Sequence, residues 1–269
     1  MSEQTQVKSC CVSGHIHEGT PKGKFETLHG LNTYVTGSGA ATIVFLPDIF
    51  GIYPNVQLLA DTWAEEGGWR VVVPDPFEGD AVSLEHINTI IPNLPILDKR
   101  TPEQAQADGS KTMEILGPWL GKHSEAVVTP LINTFFKGVK AEGGKVGTVG
   151  FCWGGRYSFL VAGAEPLVDV AIAMHPSFLS EADVKAVTTP AAILWGDRDE
   201  ILSAAQLDDF EKILRTDLGD AKVLIKRYKD TVHGFTVRGD LTDDRQRKTK
   251  EESNEEAIKF TKKAFAGSL

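Results

Sequence analysis

The run Gly150-Phe151-Cys152-Trp153-Gly154 sets a cysteine between two glycines, each two residues away. Val146-Gly147-Thr148-Val149-Gly150, leading into it, reads as a buried strand, and residues 154–162, leading out, as a helix. A strand, a sharp turn and a helix are the setting of the G-x-S-x-G nucleophile, here with cysteine in the place of serine. The turn pushes the nucleophile's side chain out of the sheet, and the glycines relieve crowding between strand and helix. A helix N-terminus behind the turn offers free N–H groups and a positive dipole end, and both favour a thiolate.

A cysteine nucleophile needs a base, and the base needs a group to orient it. Ligand sites of open parallel sheets form at the carboxyl ends of strands, so the residues just past each apolar run carry the information. Pro47-Asp48-Ile49-Phe50-Gly51 follows the run 43–46, and His175-Pro176-Ser177 follows 170–174. Gly196-Asp197-Arg198-Asp199 follows 191–195, and Asp230-Thr231-Val232-His233-Gly234-Phe235 comes after 223–228. Cys152, Asp199 and His233 thus stand at strand ends in the chain order nucleophile, acid, histidine, which differs from the orders of chymotrypsin and subtilisin. Each alone is also explained by structure, since Asp and Gly suit turns; the joint order points to nucleophilic catalysis. Asp197 competes for the acid role, but Asp199 lies past the turn and is better placed to reach the histidine loop. His175 is a candidate pocket residue, while His29, His86 and His123 are expected at the surface or as caps.

The elements that must position these groups alternate. Phe25 to Val35, broken at Gly30, reads as a leading hairpin or a pair of short strands. The strand at 43–46 is followed by helical spacing over 56–66, and the strand at 71–73 stops at Pro74-Asp75-Pro76. Residues 80–122 have no single period, with helical character over 113–120 alone. A helix over 124–142 carries apolar Val127, Val128, Leu131, Phe135 and Val139 and ends at Gly143-Gly144. Helices follow at 204–218 and, strongly charged, at about 243–265, where Ala257, Phe260, Ala264 and Phe265 face inward. Short apolar strands alternating with helices predict the α/β class, a mostly parallel twisted sheet with helices on both faces. One domain over 24–269 is expected, preceded by a polar arm over 1–23 that lies on it. The arm's Cys10-Cys11 and His15-x-His17 match no usual zinc spacing, so no metal site is expected.

Composition narrows the partners. The net charge is -9, from 28 basic and 37 acidic residues, without a dense basic cluster, which argues against nucleic acid and anionic membranes. No apolar run approaches the ~20 residues of a membrane span. The first residues have neither a signal peptide's apolar region nor a transit peptide's basic character. The odd count of 3 cysteines does not suit a disulfide framework, and a reducing, cytoplasmic setting is expected. The oligomeric state is left open.

The sequence resembles the dienelactone hydrolase family. The resemblance rests on Leu46-Pro47-Asp48-Ile49-Phe50-Gly51, Pro74-Asp75-Pro76-Phe77, Gly150-Phe151-Cys152-Trp153-Gly154-Gly155, Leu194-Trp195-Gly196-Asp197-Arg198-Asp199 and His233-Gly234-Phe235, and spans about residues 25–265. Cys152-Trp153-Gly154-Gly155, together with the Cys10-Cys11 arm, looks most like the fungal branch. The resemblance implies an α/β-hydrolase fold, a Cys152-Asp199-His233 triad and an oxyanion hole built from the amides of Ile49 and Trp153. It also implies a small ester or lactone as substrate, a thioester acyl-enzyme and no cofactor. Bacterial members carry a glutamate in the Ile49 loop, where this chain has the shorter Asp48. They also carry a substrate-binding arginine where Glu78-Gly79-Asp80 stands here. A second family arginine follows the histidine, and Arg238 is its candidate, one place further along. Asp48, His175 and Arg238 are therefore expected to bind substrate or tune the site, with Arg156 and Arg198 as other cations able to reach it. Two rival readings stand beside hydrolysis. One is a binding or scaffold protein, favoured if Cys152 is buried and unreactive; the other is a thiol redox protein using Cys10, Cys11 and Cys152.

Overall fold

In the computed structural model, which describes residues 16–90 and 98–269, the apolar runs become one sheet. Its strands are β1 (Lys24–Leu28), β2 (Leu31–Thr36), β3 (Thr42–Leu46), β4 (Arg70–Pro74), β5 (Val146–Phe151), β6 (Val170–Met174), β7 (Ala191–Gly196) and β8 (Val223–Tyr228). They lie in the order β1-β2-β4-β3-β5-β6-β7-β8. β1 and β2 form the expected antiparallel hairpin, β2 runs antiparallel to β4, and every other neighbouring pair is parallel. Every residue of β3, β5, β6 and β7 is buried, as strands covered on both faces must be. β5, which carries the cysteine, sits between β3 and β6, with Leu46 opposite Gly150 and Phe151 opposite Met174. That register brings the loops after β3, β5 and β6 to one edge.

The helices are α1 (Pro54–Gly67), α2 (Ile87–Ile90), α3 (Pro102–Lys122), α4 (Glu125–Ala141), α5 (Trp153–Leu160), α6 (Glu181–Lys185), α7 (Ala204–Leu218), α8 (Phe235–Arg238) and α9 (Asp244–Phe265). A methyl group on Gly147 would reach Phe265 of α9, and one on Gly150 would strike Gly154 of α5. Residues three apart on a strand point to opposite faces, so α9 and α5 cover the two sides of the sheet. α1 starts with proline in its first turn and stops at Gly68, and Trp63 Nε1 donates to Asn254 Oδ1 at 2.9 Å, tying it to α9. Among the described residues no helix is long and apolar enough to cross a membrane.

Several expectations are corrected in detail. α3 runs over 21 residues where helical character was expected over 113–120. A Thr101–Gln104 capping box starts it, but Trp119 is its one buried residue and Pro118 lies inside it, so it has little apolar period to read. In α4 the buried face is Val128, Ile132, Phe135, Phe136 and Val139, and Val127 points outward. Ala257 and Phe260 of α9 are buried, whereas Ala264 and Phe265 are only partly so. His123 does cap α3, but it is buried against Trp119, with ring centroids 4.5 Å apart. Cys10, Cys11 and His15 of the arm lie outside the described residues. His17 is buried on the domain, where its amide donates to Asn55 Oδ1 at 2.8 Å and its Nε2 meets the Gly239 carbonyl at 2.9 Å.

Candidate active site

Cys152 occupies the turn between β5 and α5 with φ 53° and ψ -113°, a conformation that L-residues rarely adopt. Contacts on both sides fix it there. Its amide donates to the Met174 carbonyl at 3.1 Å, and its own carbonyl accepts from Gly155 N at 3.0 Å and Ser177 N at 2.9 Å. The flanking glycines are a steric requirement: a Cβ on Gly150 would lie 2.0 Å from Gly154 O, and one on Gly154 would lie 2.2 Å from Leu46 O. The thiol is free and 4% exposed.

The structure brings Asp199 and His233 together. His233 Nδ1 donates to Asp199 Oδ2 at 2.8 Å, and both residues are buried. Asp199 Oδ1 is occupied by the amides of Ile201 at 2.8 Å and Leu202 at 3.3 Å, which fix the carboxylate's orientation. Asp197 instead braces the two loops, its Oδ1 accepting from Thr231 N at 3.3 Å. Burial alone would lower the His233 pKa; the Asp199 and Cys152 charges outweigh it and push it up to about 10. Burial alone would raise the Cys152 thiol; the positive charge on His233 outweighs it and takes the thiol below its ordinary value. The two directions favour the same charge pair, a thiolate facing an imidazolium.

His175 is fully buried beside the pair. Its ring packs edge-on against His233, centroids 5.0 Å apart, with Nε2 2.7 Å from Thr236 Oγ1. Burial first, and the His233 charge second, lower its pKa well below the usual value, so it backs His233 as a neutral ring. Ser177, two residues on, has only its place in the strand-end tripeptide His175-Pro176-Ser177 to mark it in the sequence. Ser177 Oγ lies 3.3 Å from Cys152 Sγ and 3.5 Å from His233 Nε2.

A second charged pair stands next to these groups. Asp48 is wholly buried after β3 and accepts from Phe50 N at 2.9 Å, from Tyr53 Oη at 3.1 Å and from Arg238 Nη1. Burial drives its carboxyl above the usual range against the pull of Arg238. Arg238 is itself buried, 5.5 Å over the Phe50 ring, and its Nη2 has no hydrogen-bond partner. Gly234, at φ 84°, makes room for it, since a Cβ there would fall 1.9 Å from Arg238 Nη2. Of the three arginines expected to compete for the site, only Arg238 is there. Arg156 is held by Glu125 at 2.8 Å and Asp183 at 2.9 Å, and Arg198 by Asp98 at 2.8 Å.

Ile49 and Trp153 are both buried, in the loop after β3 and at the first position of α5. No acceptor takes up either amide among the turn and loop bonds of the described residues. The first amides of a helix have no intrahelical partner, which leaves Trp153 N–H free for an anion. Phe77, in the loop that Asp75 closes on the amides of Phe77 and Gly79, packs on the Trp153 ring at 4.8 Å and so steadies that side. Among the described residues no group of His, Cys, Asp and Glu is arranged to hold a metal ion.

A mostly parallel eight-stranded sheet with its strained cysteine at a strand-to-helix turn is that of an α/β-hydrolase. The dienelactone hydrolase family model matches residues 30–265, and the chain belongs to that family. It is similar to two fungal proteins, Hydrolase pyvD of Aspergillus violaceofuscus (30% identical, covering 93% of each chain) and Hydrolase tropI of Talaromyces stipitatus (31% identical, covering 87% of each). Dienlactone hydrolase 1 of Gibberella moniliformis is 26% identical, over 87% of this chain and 85% of its own length. Among solved structures, a Klebsiella pneumoniae protein described as a dienelactone hydrolase superposes with TM-score 0.62 at 18% identity, over 91% of this chain and 97% of its own. At that identity the likeness speaks for the fold alone.

Proposed function

We propose that the protein hydrolyses a small neutral ester or lactone through Cys152, with a thioester acyl-enzyme as intermediate. The observation that carries this is the Asp199–His233 hydrogen bond of 2.8 Å, with the charged imidazole drawing down the Cys152 thiol on a strained turn. The thiolate attacks the substrate carbonyl, and the amides of Ile49 and Trp153 receive the developing oxyanion, each such donor typically contributing ~3–4 kcal/mol to the barrier. As the C–O bond breaks, His233 Nε2–H gives its proton to the departing alkoxide, leaving an acyl thioester and a neutral imidazole. The imidazole then takes a proton from water, whose hydroxide attacks the thioester, and collapse expels the Cys152 thiolate facing a renewed imidazolium. Asp199 keeps Nδ1 protonated throughout, so that Nε2 faces the chemistry. The odd count of 3 cysteines suits a reducing compartment, and we assign the cytoplasm, with 24–269 as the catalytic domain and 1–23 as an arm.

The rival of a binding protein has one observation in its favour, the burial of Cys152, and needs a second, an unreactive thiol. The redox reading needs Cys10 and Cys11, which lie outside the described residues. The test is a panel of small esters, lactones and thioesters against the wild type and Cys152→Ala. Turnover lost in the variant, with an acyl adduct on Cys152 trapped by acid quench and seen by mass spectrometry, supports the proposal. Equal turnover by both proteins would refute it.

A further inference from the structure

Ser177 lies within hydrogen-bond reach of both reacting groups, which also interact with each other directly. Its Oγ is 3.3 Å from Cys152 Sγ and 3.5 Å from His233 Nε2, the residue is 2% exposed, and its hydroxyl makes no other hydrogen bond among the described residues. A buried hydroxyl is almost always partnered, and the partners here are the nucleophile and its base. The loop is shaped to hold it there. Ser177 N donates to Cys152 O at 2.9 Å, and His175 N to Leu194 O at 2.8 Å. His175 and Phe178, flanking Pro176-Ser177, have φ of 40° and 60°. Left-handed backbone at bulky residues is unfavourable and persists where the surroundings over-determine it, a pattern concentrated at functional sites. Pro176 in turn lies so close to α5 that a Cβ on Gly155 would fall 2.8 Å from it, which locks this loop to the nucleophile's helix.

We propose that Ser177 is a further catalytic residue, whose hydroxyl donates to the Cys152 thiolate, accepts from His233 Nε2–H, and passes protons between them. This rests on the reading of Cys152 as nucleophile. From the neutral pair, the S–H proton moves to Ser177 Oγ as the Ser177 O–H proton moves to His233 Nε2. One S–H and one O–H bond break, one O–H and one N–H bond form, and the products are thiolate, imidazolium and an intact hydroxyl. A hydroxyl donor beside the sulfur stabilises the thiolate in a buried site.

The experiment compares the wild type with Ser177→Ala, Ser177→Thr and Ser177→Val, following iodoacetamide alkylation of Cys152 and ultraviolet thiolate absorbance against pH. Loss of the donor is expected to raise the thiol midpoint by about one pH unit in Ala and Val. In the same two variants kcat is expected to fall about tenfold with KM little changed, since the bond matters to the reacting sulfur rather than to ground-state binding. Thr, which keeps the hydroxyl, should stay near the wild type. If Ala does not fold, the near-isosteric Thr and Val pair decides. A wild-type Cys152 that titrates low, with Ala and Val unshifted, overturns this proposal alone. A wild-type Cys152 that titrates as an ordinary thiol overturns both it and the nucleophile reading.

Discussion

His233 donates from Nδ1 to Asp199 Oδ2 at 2.8 Å, across 34 residues of chain, and the Asp199 charge favours the protonated imidazole. With the His233 pKa raised to about 10 and the Cys152 thiol lowered, the ion pair exists between the two. We expect kcat/KM to be bell-shaped, with an alkaline limb near pH 10 and an acid limb below the ordinary thiol range of about 8.5; both limbs belong to the coupled pair. Asp199→Asn should move the alkaline limb down and lower kcat by roughly 10³–10⁴-fold, the scale seen when the orienting acid of a triad is neutralised. A pH–rate profile of the two proteins checks it.

The same shifts bear on stability. A group whose pKa is raised on folding contributes stability below its unfolded value and loses it as pH climbs through the folded one. For His233 that loss falls between 6.5 and about 10. A lowered thiol works in the opposite sense, stabilising above its ordinary value and losing that as pH falls through the folded value. Thermal melts from pH 6 to about pH 10 should therefore show a Cys152-dependent component, and Cys152→Ala should flatten it. A variant whose melting curve tracks the wild type at every pH would count against the ion pair.

Cys152 is expected to alkylate faster at pH 7 than Cys10 or Cys11, by peptide mapping after brief iodoacetamide treatment. The Asp48 charge raises the Cys152 pKa and the Arg238 charge lowers it. Asp48→Asn removes the first and should speed the reaction further, whereas a slower reaction would mean that Asp48 assists the thiolate.

Much of this arrangement is legible in the sequence because it is local. The glycines around Cys152, the strand ends and the order Cys152, Asp199, His233 follow from short-range pattern, and the sheet follows from buried apolar runs. What escaped is what depends on contact across the fold. Ser177 gains its meaning only when β6 lies beside β5, and the Asp48–Arg238 pair joins residues 190 apart. The strand-end position of His175 is legible, but its left-handed backbone at φ 40° and the packing of its ring against His233 are not. Only the 113–120 part of α3 is legible, for a different reason: a helix that buries so little carries almost no apolar period.

Gly234 gives a test of how the loop places Arg238. Its φ of 84° and the 1.9 Å approach of Arg238 Nη2 to any Cβ leave no room for a side chain. Gly234→Ala should cost about 1–3 kcal/mol of stability by denaturant titration, from left-handed strain and displacement of the guanidinium. A stability within ~0.5 kcal/mol of the wild type would show that the loop repacks freely.

Substrate charge depends on which cation is free to meet it. No arginine follows Phe77, where Glu78, Gly79 and Asp80 stand, and the cation that does reach the site, Arg238, is already bound to the buried Asp48. A substrate carboxylate must therefore compete with Asp48 for Arg238, leaving only the unpartnered Nη2 to receive it without exchange. Replacing one charge-assisted bond by another gains little, and the net charge of -9 weakly repels anions at long range. Neutral esters and lactones are expected to be turned over at least as well as carboxylate-bearing ones of similar size, by kcat/KM for matched acid and methyl-ester substrates. In Asp48→Asn the guanidinium is released, and a charge-assisted contact of ~1.5–3 kcal/mol becomes available to the substrate. The preference should then swing toward the acid by roughly tenfold to a hundredfold, and Arg238→Gln in the same background should abolish the swing. A wild-type protein that already prefers the acid strongly, and loses that preference in Arg238→Gln alone, would show that Arg238 leaves Asp48 for the substrate and that the anionic substrate class holds.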